Sequence, residues 1–276
     1  MLGKLMKHEW LRMWKVPTLL LVFLNIMAII AGMTTSTGVW GIGVVGDNFF
    51  RELIVVLFIA GVIGVAFSAY VYFAVNFYKS TYSDEGYLLH TLPVTPRQIL
   101  ITKTVMIALW QVIVSVGVIS ALFLWLVIGG KNLGFNWQEV VVGISLLKTE
   151  LKAVFAESYP SFEAVIILMF LQSLVSVIYT GVFLTSSITL GQLAKKHRIG
   201  AAILAGVAIN VVISSVVSFC QIPFFAGTLA DSTTMGIQGI QNFFLSILVA
   251  MIVQILATVI LYMISEYILT KKLNLE

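Results

Sequence analysis

The sequence predicts an all-α membrane protein. It reads as six transmembrane helices, an N-terminal amphipathic helix at the interface, and a short cytoplasmic helix between the second and third spans. Three observations predict this. The first is composition. Of 276 residues, 60% are apolar and only 10% charged, with a mean hydropathy of +1.05. Soluble domains are nearer half apolar and a quarter charged, and packing in water cannot hide this much apolar surface. The second is run length. Crossing a bilayer takes about 20 apolar residues, and six runs qualify, at 16–33, 53–78, 105–128, 164–190, 199–225 and 243–265. None contains Asp, Glu, Lys or Arg.

The third observation is the placement of charge. Lys4, Lys7, Arg12 and Lys15 precede the first span, and Lys79, Arg97 and Lys103 lie between the second and third. Lys195, Lys196 and Arg198 lie between the fourth and fifth, and Lys271 and Lys272 follow the sixth. Of the 16 lysines and arginines, only Arg51, Lys131, Lys148 and Lys152 fall on the other side. The positive-inside rule therefore predicts a multi-pass protein with both termini in the cytoplasm. The net charge of +4 reflects these membrane edges, so no nucleic-acid partner is expected. The lone Cys220 excludes an intrachain disulfide framework and a thiolate metal cluster.

The elements follow in chain order. Residues 1–15 place Leu2, Leu5, Met6, Trp10, Met13 and Trp14 on one helical arc, with Lys4, His8, Arg12 and Lys15 opposite. This is the pattern of an interfacial helix whose cations face anionic headgroups. A cleaved signal peptide fits poorly, because the charged lead is long and no A-x-A site follows. Glu9 interrupts the apolar arc. It reads as a snorkelling or lysine-paired carboxylate, or else as an anchor to another cytoplasmic element.

Segment 79–104 is the most structured connection. Ser83 suits an N-cap, and Asp84 and Glu85 follow where carboxylates complement the helix dipole. A helix of roughly two turns is predicted from Asp84 to about Thr91, stopped by Pro93. Thr95, Pro96 and Gln98 then form a second start: a cap, a first-turn proline and a Thr-x-x-Gln box. The third long helix thus begins near Pro96, about 14 Å before its membrane part at Val105. A plain link between antiparallel helices needs only a few residues. A longer one with both ends defined is what a docking element requires.

The stretch SDEGYLLHTLPVTPRQILITK resembles the cytoplasmic segment between spans two and three of bacterial ABC transporter permeases of the second exporter family, which have the type V, or G-subfamily-like, fold. The resemblance rests on Glu85, Gly86, Leu88, Leu89, Pro93 and Lys103, and on the layout of lead helix, six spans and termini. It covers most of the chain, with residues 129–163 longer than the common layout. It implies one permease domain over 1–276, in the bacterial cytoplasmic membrane. It implies that 84–93 is a coupling helix seated in a groove of a separate ATP-binding cassette ATPase, through Asp84, Glu85, Gly86, Tyr87, Leu88, Leu89, His90, Leu92 and Pro93. ATP and Mg would sit on that partner, and no cofactor on this chain. A second permease subunit, identical or paralogous, would complete the pathway. The expected cargo is amphipathic or hydrophobic: an antimicrobial peptide, a drug or a lipid.

The chain itself carries no G-x-x-x-x-G-K-[ST] motif and no room for a nucleotide-binding domain in its cytoplasmic connections, so it is not expected to be an enzyme. Lys195, Lys196, His197 and Arg198 offer a secondary cytoplasmic contact or a site for membrane lipid headgroups. His8, His90 and His197 occupy three separate segments, which argues against a metal site. Inside the spans, Asn25, Gln111, Gln172 and Asn210 are candidate pathway residues. They, with Gln254, Ser173, Ser176, Ser214 and Ser215, equally suit interhelical hydrogen bonding. Gly61 and Gly64, and Gly200, Ala201, Ala205 and Gly206, are small-residue patches suited to close packing.

On the outer side, Val141, Ile144, Leu147, Leu151 and Val154 recur at helical spacing, predicting an amphipathic surface helix over 137–155. Residues 227–242 match the position of the family's re-entrant lid. Other functions fit less well. An ion-coupled transporter usually places ionisable groups in the membrane, and these spans have none. An intramembrane protease would need His-Glu-x-x-His or a buried histidine–nucleophile pair. A non-transporting scaffold gives no reason for a capped helix at 84–93.

Overall fold

A computed structural model of the chain describes residues 2–37, 47–83, 95–129, 137–156, 161–194, 196–230 and 235–271. Those residues form eight α-helices: α1 (Leu2–Met13), α2 (Lys15–Thr37), α3 (Asp47–Tyr82), α4 (Pro96–Gly129), α5 (Trp137–Ala156), α6 (Phe162–Gly191), α7 (Arg198–Ala230) and α8 (Met235–Lys271). Six are long and apolar enough to cross a membrane, within Lys15–Thr35, Glu52–Tyr82, Pro96–Gly129, Phe162–Gly191, Arg198–Phe224 and Gln241–Lys271. The protein is all-α and multi-pass, as composition and run length predict. The helices outrun the apolar runs because polar end turns continue the same hydrogen-bond ladder beyond the hydrocarbon depth. Of residues 227–242, where the resemblance puts a re-entrant lid, 227–230 end α7 and 235–242 open α8, while 231–234 lie outside the described residues.

The chain divides into two compact units. Unit 1 is Met1–Lys79 with Leu109–Ile144, and unit 2 is Ser80–Ala108 with Ser145–Glu276. In unit 1, Leu24, Ala28 and Ala31 of α2 pack with Phe58 and Val65 of α3 and Ala121 of α4. Gly117 lets α4 meet α2 closely, since a Cβ there would lie 2.5 Å from Leu21 Cδ2. The helix break near Trp14 has a local cause. Pro17 has no N–H, and its ring crowds the carbonyl of Met13, so the ladder is interrupted where α1 ends.

Helix α1 is docked within unit 1. Trp10 stacks on Trp110 of α4 at 4.7 Å between ring centroids. Arg12 Nε donates to Asn76 Oδ1 of α3 at 3.0 Å, and the Tyr72 hydroxyl donates to the Arg12 carbonyl at 3.5 Å. Arg12 therefore ties α1 to α3, where the helical pattern placed it among headgroup-facing cations. Glu9 is only 6% exposed, one turn from the buried Met13. It does not reach outward as a snorkelling carboxylate would.

In unit 2, α6 packs on both α7 and α8, and α7 on α8. Of the small-residue patches singled out by sequence, Gly206 meets Ser187 of α6 at Cβ distance 3.3 Å. In unit 1, Gly61 is barely in contact and Gly64 has nothing within 4 Å.

Candidate functional site

The site is the pair of helix ends that flank residues 84–94 in the chain, the last turn of α3 and the first turns of α4. The nine candidate coupling residues, Asp84 to Pro93, lie outside the described residues, as does Lys195. Both flanks are described, and both are anchored within unit 2.

At the α4 flank the predicted capping box forms. Gln98 N donates to Thr95 Oγ1 at 3.4 Å, and Thr95 N donates to Gln98 Oε1 at 3.3 Å. This satisfies backbone donors that a helix start otherwise leaves orphaned. Thr102 Oγ1 donates to the Gln98 carbonyl at 2.7 Å. Arg97 pairs with Glu266 of α8, with Arg97 largely exposed. Exposed pairs are worth about 0–1 kcal/mol, so this contact orients more than it stabilises.

At the α3 flank, Ser80 and Thr81 are buried. The hydroxyls of Tyr82 and Thr189 lie 2.7 Å apart, joining α3 to α6. Lys103, only 4% exposed, donates from its ammonium to Ser80 Oγ. Removing water from a lysine is expensive unless its donors are met, so this bond holds the α3 end and the α4 start in one register. Gly181 of α6 admits the close approach of α4, since a Cβ there would lie 3.2 Å from the Thr104 carbonyl oxygen. The arrangement can hold a short segment fixed at both ends and pass displacement to α6 and α8. Among the described residues no group of three His, Cys, Asp or Glu could hold a metal ion.

The α6–α7 connection carries the secondary contact residues. Lys196, His197 and Arg198 are all exposed. His197 has φ 57°, a left-handed conformation, and its carbonyl accepts from Ala201 N at 3.0 Å in the first turn of α7. Gly191 makes the tight return possible, because a Cβ there would sit 2.5 Å from Ala202 Cβ and 2.6 Å from its Cα and N.

The candidate pathway residues differ in their surroundings. In unit 1, Asn25 Nδ2 donates to the Leu21 carbonyl at 2.8 Å, and its Oδ1 accepts from Ser120 Oγ at 3.0 Å. Gln111 is half-buried on α4. In unit 2, Gln172 Nε2 and Ser176 Oγ both donate to Gln254 Oε1, at 3.0 and 3.2 Å, which ties α6 to α8. Asn210 is exposed on α7. Asn25→Ala is expected to cost about 0.6–2 kcal/mol, the worth of an interhelical polar contact in a membrane. Thermal unfolding of the detergent-solubilised protein checks this; a midpoint equal to wild type would remove the packing role.

Several anchoring residues escaped sequence reasoning. Ser186 and Ser265 share a hydrogen bond of 2.8 Å, and both are buried. Thr185, Ser187 and Thr189 are buried on the same stretch of α6. The run Leu184-Thr-Ser-Ser-Ile-Thr189 is the available signal, a dense set of hydroxyls near the end of an otherwise apolar span. Comparisons of the chain with protein families, curated proteins and solved structures find no match, and what the chain shows of itself is an all-helical, multi-pass membrane protein.

Proposed function

We propose that the chain is the membrane-spanning permease subunit of an ATP-driven ABC exporter. A separate ATPase subunit docks on 84–93, and a second permease subunit, identical or paralogous, completes the pathway. The observation that carries the reading is the anchoring of both ends of that segment, through the Thr95–Gln98 box, Lys103 to Ser80, Tyr82 to Thr189, and Arg97 to Glu266. A solvated link needs no such base. A segment that receives force does, because slack at either end would absorb the displacement.

In this mechanism ATP and Mg are bound by the partner and this chain catalyses nothing. Closure of the ATPase pair pushes on 84–93. The push enters α4 at its capped start and reaches α6 and α8 through Tyr82–Thr189 and Arg97–Glu266, rocking the helices between inward- and outward-open states. Both termini are cytoplasmic and the membrane is the bacterial cytoplasmic membrane. The cargo is an amphipathic or hydrophobic molecule, such as an antimicrobial peptide, drug or lipid. The absence of ionisable residues from the apolar runs disfavours ion-coupled transport.

The test is topological. Glu85→Cys or His90→Cys in a Cys220→Ser background should react in intact cells with a membrane-permeant maleimide and resist an impermeant one. Labelling by the impermeant reagent would place the segment beyond reach of any ATPase and end the reading.

A further inference from the structure

Helix α5 is 20 residues long, about 30 Å, yet it is not among the six candidate spans. Glu139, Lys148, Glu150 and Lys152 account for this, because burying four charges in hydrocarbon is prohibitive. Nor can it move far from the bilayer. It is tied to the end of α4 at Gly129 by residues 130–136 and to the start of α6 at Phe162 by 157–161, tethers that reach on the order of 25 Å and 20 Å at most.

One face of α5 carries Val141, Ile144 and Leu147, exposed by 62%, 61% and 57%. By helical spacing Lys148 and Lys152 stand along one edge of that face, one turn apart, while Glu139 and Glu150 fall on the far side. The far side also bears Val142 and Leu146. Apolarity alone therefore does not decide which way the helix turns, and charge must. Lys152 Nζ lies 3.1 Å from Glu163 Oε1, with both side chains at least half exposed. A pair so exposed is weak and leaves the ammonium available to a stronger anion.

We propose that this face of α5 is a docking surface for anionic phospholipid headgroups, with Val141, Ile144 and Leu147 entering the acyl boundary and Lys148 and Lys152 on the phosphates. Long lysine side chains at the edge of an apolar arc reach headgroup level while their stems cover apolar surface. The glutamates are held away from the negative surface. A second copy of the same face fits less well, since two-fold pairing would repeat the lysines with no carboxylate on that face to meet them.

The experiment uses the full chain, Cys220→Ser, with an environment-sensitive fluorophore on Ile144→Cys or Glu150→Cys. The protein is reconstituted one copy per nanodisc, in phosphatidylcholine alone or with phosphatidylglycerol, and acrylamide quenching is read. The expected result is strong protection at 144, little at 150, and protection at 144 that is several-fold greater with phosphatidylglycerol. Lys148→Gln with Lys152→Gln should erase the difference between lipids, each lysine near an anionic surface being worth about fivefold. Glu163→Gln, which frees Lys152, should preserve it. Equal quenching at 144 and 150, equal protection in both lipids, or protection seen only when two copies share a disc would each overturn the proposal.

Discussion

Leu89→Asp is expected, under the proposed function, to release a docked ATPase subunit, lowering its recovery with the tagged chain by about 30-fold or more. That figure corresponds to the roughly 2 kcal/mol or more lost when an apolar anchor is removed from a docked interface, and a carboxylate adds the cost of burying an unpaired charge. The chain should remain folded, because the hydrogen bonds that anchor the flanks, Thr95–Gln98, Lys103–Ser80 and Tyr82–Thr189, are left intact. Arg97→Ala is the contrast. Its pair with Glu266 is exposed on the arginine side, so the change should alter recovery only a few-fold. Quantitative co-purification checks both. Full recovery of an active, stimulated ATPase with Leu89→Asp would refute docking on 84–93.

Gly191→Val is expected to have the largest effect on stability. The added Cβ would meet the backbone N and Cα of Ala202 at 2.6 Å. Backbone cannot step aside as a side chain does, so α6 and the start of α7 must separate. Overpacking of this kind costs about 1–3 kcal/mol or more, and each kcal/mol lowers the midpoint of a domain this size by about 2–4 °C. A drop of about 6–12 °C is expected at the upper end, measured by size-exclusion after heating in detergent. Gly206→Ala meets a rotatable hydroxyl, Ser187 Oγ at 3.3 Å, and should shift the midpoint by no more than a degree or two. An unchanged midpoint in Gly191→Val would mean the close return of α6 into α7 is not as described.

What was legible in the sequence is what a chain in lipid must declare locally. Spans show as unbroken apolar runs because lipid leaves no alternative partner for backbone groups. The start of α4 shows because a cap, a proline and a glutamine satisfy donors within one turn, and Thr95 and Gln98 do so. Contacts between distant helices were not legible. Arg12 looked like a headgroup ligand until Asn76, 64 positions away, was placed beside it. Gly64 promised a packing contact that only a neighbour in three dimensions can supply, while Gly117 and Gly191, which do make close approaches, carry no sequence mark to distinguish them. In the sequence Lys103 is one of the charges between two spans, and its burial against Ser80 depends on how two helices meet.

The indoles of Trp10 and Trp110, 4.7 Å apart and inclined by 28°, have a spectroscopic consequence. Two chromophores this close share their excitation, so seating the N-terminal helix should imprint a paired band on the near-ultraviolet dichroism that neither ring gives alone. Any event that lifts that helix, a change of lipid among them, would extinguish the band without an added label.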